Sequence, residues 1–407
     1  MNLKSPLRYA RLDISVDYTG SPSTGALDIP FPTFHEIGTD GRAEGPFEKD
    51  KQCASSVGIR TPKPPATPPD VSHIIFGVAT TLERLEASLN AFAHWSGRTG
   101  LTIYAVIEPA SAEEIVRVEE RAAKLQYTLK ISESDAEFHD RYFSLLEFLH
   151  ARIEAGKTQW IAIIDDDTFF PSMTALVDRL GRYDPSKPQY VGGLTEDFGQ
   201  TKFYGLMAYG GGGVFLSVPL LVELYPYLGA CSNDKSYGGD GRIAACIYSY
   251  STTKLSWEAD LHQTDIKGDP SGFYESGRRP APLSIHHWKS WSDVDVVSLA
   301  AVESVCGYDC ILQRFRFSDG WWLTNGYSVV KYNEDRPFDD IRMERTWDEN
   351  SGSDFEHSLA PFMEKDAEKA SFRLEGVVRR QRGKLRQFYV RRLEEGDQVL
   401  EVVWRTN

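Results

Sequence analysis

Long apolar runs are missing from this sequence. No stretch reaches the roughly 18 consecutive apolar residues that a membrane-crossing helix needs, and the first twenty residues lack the apolar core of a secretory signal. As they stand, the residues read as a soluble chain, with loss of an N-terminal anchor as the alternative. No Asn-x-Ser/Thr acceptor occurs, which is neutral to mildly unfavourable for a lumenal protein. An excess of basic residues is also missing. The net charge of −14 argues against nucleic acid or an anionic membrane as partner of the whole chain. Cysteines number only five, and their spacing does not match a structural zinc site. Cys306 and Cys310 bracket Gly307-Tyr308-Asp309; they close a small disulfide loop in an oxidising compartment or stay as two reduced thiols. Cys53 has no assignable partner.

What is present suffices for a large core: 407 residues, 41% of them hydrophobic, make one big domain with additions or two domains. Residues 1–70 are rich in Pro, Gly, Ser and Thr and end in Thr61-Pro62-Lys63-Pro64-Pro65 and further prolines, so they read as a poorly structured stem or linker. Ile74-Ile75-Phe76-Gly77-Val78-Ala79 then has the texture of a buried strand. Leu82, Leu85, Leu89, Phe92 and Trp95 follow at helical spacing. Strand and helix patterns go on alternating through Trp160–Ile164. The expectation is an α/β domain over 71–310 with a mixed, largely parallel sheet. Beyond it, 311–407 reads as a small β-rich appendage. Asp319-Gly320 and Asn325-Gly326 mark turns there, and Phe372–Val378, Leu385–Arg392 and Gln398–Arg405 read as strands. A polar, acidic loop covers about 333–358.

Ligands of open α/β sheets sit beyond the carboxyl ends of strands. Asp165-Asp166-Asp167 occupies such a place, directly after Ile161-Ala162-Ile163-Ile164. Three adjacent carboxylates repel unless a cation or hydrogen-bond donors offset them, and hard divalent ions supply that charge. A solvated turn, with Asp167 or Ser172 capping the next helix, is the plain alternative. Gly210-Gly211-Gly212-Gly213 offers either a flat backbone surface to a sugar or a flexible turn. Asp240, within Gly238-Gly239-Asp240-Gly241, is placed as a helix N-cap or as a general base taking a hydroxyl proton. His286-His287 provides a metal ligand or packed core imidazoles. Trp288, Trp291, Trp321 and Trp322 stack on sugar rings or fill the core.

The order of these features resembles the Fringe-like β-1,3-glycosyltransferases, glycosyltransferase family thirty-one, in its fungal and plant forms with an added C-terminal region. The resemblance runs from about Ile74 to Trp291 and rests on Ile163-Ile164-Asp165-Asp166-Asp167-Thr168-Phe169-Phe170, the glycine run, Asp240 and His287. It implies a GT-A, Rossmann-like fold and an inverting transfer of a hexose or N-acetylhexosamine from a UDP-sugar to a glycan, glycoprotein or other hydroxyl acceptor. It also implies Mn²⁺ and a membrane-anchored Golgi enzyme. By the resemblance, Asp167 and His287 coordinate the metal, and Asp165 and Asp166 contact nucleotide and sugar. Asp240 is the base, and Thr80 and Arg84 lie against the uridine or its phosphates. Two positions depart from the family pattern: Gly239 stands where the family has the first acidic residue of an Asp-Asp pair, and Gly212 stands where it has alanine. Two rival readings are a non-catalytic, carbohydrate- or UDP-binding relative and a metal-dependent hydrolase.

Overall fold

The computed structural model of the chain describes residues 3–20, 25–37, 54–277, 281–348, 361–381 and 383–406. Three strands precede the α/β region: β1 (Leu7–Asp17), β2 (His35–Ile37) and β3 (Ala54–Arg60). The expectation of a poorly structured stem over 1–70 is therefore corrected for these segments. The reason lies in β1 itself. Ala10, Leu12, Ile14 and Val16 alternate with Arg11, Asp13 and Ser15, and those four are buried, as a half-buried strand requires. Cys53 lies outside the described residues.

The expected alternation follows. It comprises β4 (Ile74–Thr80), α1 (Leu82–Ser96), β5 (Thr102–Ile107), α2 (Ala112–Lys124), β6 (Thr128–Glu133), α3 (Phe138–His150) and β7 (Trp160–Ile164). After these come α4 (Met173–Leu180), β8 (Tyr190–Gly192), α5 (Phe198–Tyr204) and β9 (Val214–Ser217). Then α6 (Val218–Leu224), α7 (Leu228–Ser232), α8 (Gly239–Tyr250) and β10 (Leu255–Trp257) complete this part. The seven strands form one mixed, largely parallel sheet in the order β10-β8-β9-β7-β4-β5-β6. β9 alone runs against its neighbours β7 and β8. This is the α/β class expected, with a Rossmann-like β4–β6 half. Leu85, Leu89, Phe92 and Trp95 of α1 are buried, each contributing about 1.5–3 kcal/mol of apolar transfer.

The topology explains where a ligand would sit. From β4 the chain winds outward through β5 to β6, then returns to β7 on the other side of β4. The strand order reverses there, and a crevice opens beyond the carboxyl ends of β4 and β7. Thr80 ends β4, and Asp165 directly follows β7.

The remaining strands are β11 (Arg314–Arg316), β12 (Trp321–Thr324), β13 (Ser328–Lys331), β14 (Met343–Glu344), β15 (Phe362–Met363), β16 (Ala370–Gln381), β17 (Lys384–Arg391) and β18 (Gln398–Thr406). The turns at Gly320 and Gly326 take positive φ of 86° and 84°, consistent with the hairpin signals. The β-rich region is not purely C-terminal. β18 pairs in parallel with β1 over nine residues, Arg8–Val16 against Gln398–Thr406, so both chain ends share one nine-stranded sheet. Residues 349–358 of the expected acidic loop lie outside the described residues.

Two disulfides tie the fold. Cys306–Cys310 closes the small loop read from the sequence, and Cys231–Cys246 joins α7 to α8, which the sequence reading did not anticipate. Among the described residues no helix is long and apolar enough to cross a membrane.

Candidate active site

The acidic triplet divides its work among three differently placed carboxylates. The alternative of a capped turn belongs to Ser172, whose hydroxyl accepts from Ala175 N at the start of α4. Asp165 is partly exposed at the mouth. Asp166 and Asp167 are buried.

Asp166 is held by cations. The Arg84 guanidinium meets it in a fork, Nε to Oδ2 and Nη2 to Oδ1, both at 2.7 Å. Lys289 Nζ approaches Oδ1 at 3.1 Å, and the Thr80 hydroxyl donates to Oδ2. α1 makes this possible. Thr81 caps its first turn by accepting from Arg84 N, which aims Arg84 back across the strand ends. Lys289 also donates to Ser88 Oγ and Arg84 O. Asp166 thereby joins β4, α1, β7 and the 287–291 segment.

Asp167 has a different environment. Its Oδ1 lies 2.9 Å from His286 Nε2, while its Oδ2 is buried with no hydrogen-bond partner. Burial opposes its charge, yet the adjoining imidazoles, His286 foremost, hold its carboxyl well below the usual carboxylate range. For His286 burial alone would lower the imidazole, but Asp167 and Asp165 outweigh that and raise it well above its ordinary value. His286 Nδ1 faces the Gln263 carbonyl oxygen at 2.9 Å, so Nδ1 carries a proton and Nε2 is the atom directed at the carboxylates. Such a carbonyl behind an imidazole fixes the tautomer of a metal ligand.

His287 sits to the side. Its Nδ1 is 2.8 Å from Ser290 Oγ and 3.9 Å from Asp167 Oδ2, and its Nε2 is 3.3 Å from Asp265 Oδ1. Trp291 stacks on its ring at 3.7 Å. Burial lowers its affinity for a proton. Donor atoms of Asp167, His286 and His287 all lie within 4.8 Å of one another. This oxygen-and-imidazole set, with an unsatisfied carboxylate oxygen among its atoms, fits a borderline divalent cation. The choice of His287 as the histidine ligand omitted His286, which points more directly between Asp165 and Asp167.

A cavity of about 370 Å³ opens over these groups, lined by Thr80, Arg84, Asp165, Asp166, Asp167, His286, His287, Ser290 and Trp291 among others. Three residues the sequence reading did not assign are now part of the site: Lys289, Ser290 and Asp265. Closeness to the histidine pair in sequence was the only signal for Lys289 and Ser290, and Asp265, far from that pair along the chain, had no local signal. Of the tryptophans, Trp291 lines this cavity, whereas Trp322 is core.

Asp240 and the glycine run do not line that cavity. They adjoin it through Gly210, whose N–H donates to Asp240 Oδ2 at 3.0 Å. The N-cap of α8 is Gly238, not Asp240, which lies in the helix's first turn and accepts from Gly241 N. Burial, with Asp165 adding to it, raises the Asp240 carboxyl above its usual range despite the Gly210 and Gly241 amides. A raised carboxyl is a better proton acceptor.

The reading of Gly210–Gly213 as a flat surface for a sugar is corrected. All four are buried. Cβ atoms at Gly210 and Gly211 would lie 2.2 Å from Tyr142 Oη and 2.1 Å from His286 Nδ1. The absent side chains make room for protein groups: the glycines let Tyr142 and His286 close in.

The family DUF604, described as a protein of unknown function, matches residues 200–304, a stretch that contains the glycines, Asp240 and both histidines. No curated protein matches. Among solved structures the chain is similar to the galactosyltransferase LgtC in complex with donor and acceptor sugar analogs. The identity is 10% and the TM-score 0.36, over 53% of this chain and 87% of that one. It is also similar to the glycosyltransferase GlyE of Streptococcus pneumoniae TIGR4, with 12% identity and a TM-score of 0.36 over 58% of this chain and 61% of GlyE. Mouse xyloside xylosyltransferase 1 gives 12% identity and a TM-score of 0.31 over 45% of this chain and 84% of its own. Likenesses this distant leave the functional argument to the site.

Proposed function

We propose that the chain is a metal-dependent, inverting glycosyltransferase of GT-A type, moving a hexose or N-acetylhexosamine from a UDP-sugar to a hydroxyl acceptor. The observation that carries this reading is the partnerless Asp167 Oδ2 beside two imidazoles, under a cavity at the strand-order reversal. Asp167 and His286 would hold the ion, with His287 flanking them. A bound divalent ion, manganese by the family resemblance, would supply Lewis-acid neutralisation of the leaving diphosphate. Thr80 and Arg84 form the wall expected to meet the nucleotide, and Asp165, at the mouth, faces donor and acceptor.

Asp240 takes the proton of the acceptor hydroxyl as that oxygen bonds to the anomeric carbon. The bond from that carbon to the diphosphate breaks on the opposite face, and UDP leaves with the electron pair. Fixed placement of the two carboxylates around Gly210 supplies the alignment on which such a displacement depends. Two disulfides support a secretory-pathway lumen, Golgi by the resemblance, as the place of action. A β-1,3 linkage and a glycan or glycoprotein acceptor follow from the resemblance alone.

The test is a UDP-release screen with Mn²⁺ across UDP-sugars, then acceptor profiling with the best donor. Asp240→Asn is expected to bind UDP and Mn²⁺ as the wild type does and to lose transfer. Wild-type transfer by that variant would remove Asp240 as the base. Free sugar released equally with and without acceptor would point to a hydrolase, and UDP binding without release of any product to a non-catalytic relative.

A further inference from the structure

One buried polar group in this region has no partner and no role in the mechanism above. Tyr142, on α3, is buried, and its hydroxyl makes no hydrogen bond. A sealed, unsatisfied hydroxyl costs about 1–3 kcal/mol, and native folds keep few of them. This one sits between the two halves of the site. The point that a Gly210 Cβ would occupy lies 2.2 Å from Tyr142 Oη and 3.2 Å from Asp165 Oδ1, while Gly210 N is bonded to Asp240 Oδ2. Three oxygens thus converge on one glycine.

The space for the ring is itself built. A Cβ at Gly239 would come within 2.4 Å of the Tyr142 ring. Gly239 is also the position where the resembled family carries an acidic residue. In this chain a phenol from α3 lies against the backbone where that carboxylate would begin. Two glycines, Gly210 well before the base in sequence and Gly239 directly beside it, are both needed for Tyr142 to reach its place. Ordinary core packing calls for neither, and a phenylalanine would fill the same volume without an unsatisfied hydroxyl.

We propose that Tyr142 is a positioning residue for the transfer: its hydroxyl stands between Asp165 and Asp240 over Gly210 and keeps the two carboxylates separately aimed. A phenol can donate to one oxygen and accept from another. Placed between two like charges, it offers one of them a proton to share when donor and acceptor fill the cleft. Asp240 then stays turned toward the acceptor hydroxyl, and Asp165 toward the donor. This rests on the transferase reading above.

The experiment compares steady-state kinetics of the wild type and Tyr142→Phe, with the donor and acceptor found by the UDP-release screen. The expected result is a kcat about 10- to 100-fold lower, with the KM for the UDP-sugar unchanged and thermal stability equal or higher. Gly239→Ala, which pushes the ring aside, should lower kcat in the same way while also lowering stability. An active wild type with Tyr142→Phe at the wild-type kcat overturns the inference alone. A wild type that transfers no sugar overturns the transferase reading and this inference with it.

Discussion

His286 Nε2 lies 2.9 Å from Asp167 Oδ1 and 3.3 Å from Asp165 Oδ2, with a backbone carbonyl fixing its other nitrogen. His287, one residue on, has both nitrogens engaged by Ser290 and Asp265. The two histidines should therefore behave differently. His286→Ala is expected to abolish Mn²⁺-dependent UDP binding. His287→Ala should weaken it about 10- to 100-fold, as loss of a supporting group does. Isothermal calorimetry with UDP and Mn²⁺ measures both, and the reverse order would make His287 the principal ligand.

Metal binding should also release a proton. Without an ion, Asp167 and Asp165 keep His286 protonated well above its ordinary value, whereas a metal ligand must be neutral. At pH 7 about one proton should leave as the ion enters. Calorimetric enthalpies in buffers of different ionisation heat give that number directly. A buffer-independent enthalpy would mean that His286 is already neutral.

Asp166 should matter more for stability than for donor contact. Arg84, Lys289 and Thr80 converge on its buried carboxylate. Removing the carboxylate takes the counter-charge from largely buried Lys289, which keeps Ser88 and the Arg84 carbonyl as acceptors, while half-exposed Arg84 turns to water. Asp166→Ala is expected to destabilise the fold by about 1–3 kcal/mol, read by urea denaturation. A variant of native stability that only loses UDP affinity would restore the direct-contact role.

Much of this was legible in the sequence because its signals are local. The apolar run before Asp165 marks β7, and the spacing from Leu82 to Trp95 marks α1. Helix and strand periods need no partner to be seen. What escaped depends on partners far along the chain. β1 has the period-two pattern, but its longest pairing is with β18, about 390 residues away, and loop-like composition surrounds it. The Cys231–Cys246 bond joins two short helices whose meeting no spacing rule announces. Gly210 and Gly211 read as an open surface because glycine shows only that a side chain is missing. That Tyr142 and His286 fill the space is a tertiary fact. The division of Asp165, Asp166 and Asp167 into mouth, cation-bound and imidazole-bound carboxylates likewise arises from neighbours on other elements.

A pH effect on stability should come from His94, away from the transfer site. It lies in the last turn of α1, with Nε2 3.0 Å from the Pro171 carbonyl oxygen and 4.0 Å from Glu303. Burial pushes its imidazole down to about 4, and burial likewise raises the Glu303 carboxyl above its usual range. The unfolded chain protonates this histidine near its ordinary value of about 6.5. Between that value and about 4, the unfolded state binds the extra proton and is favoured. His94 therefore costs nothing above pH ~6.5, and stability falls as the pH drops toward 4, by at most about 1.4 kcal/mol per unit. Urea unfolding at pH 7, 6 and 5 should show that decline, and His94→Gln should flatten it relative to the wild type. An equal decline in both proteins would assign the acid sensitivity to other groups.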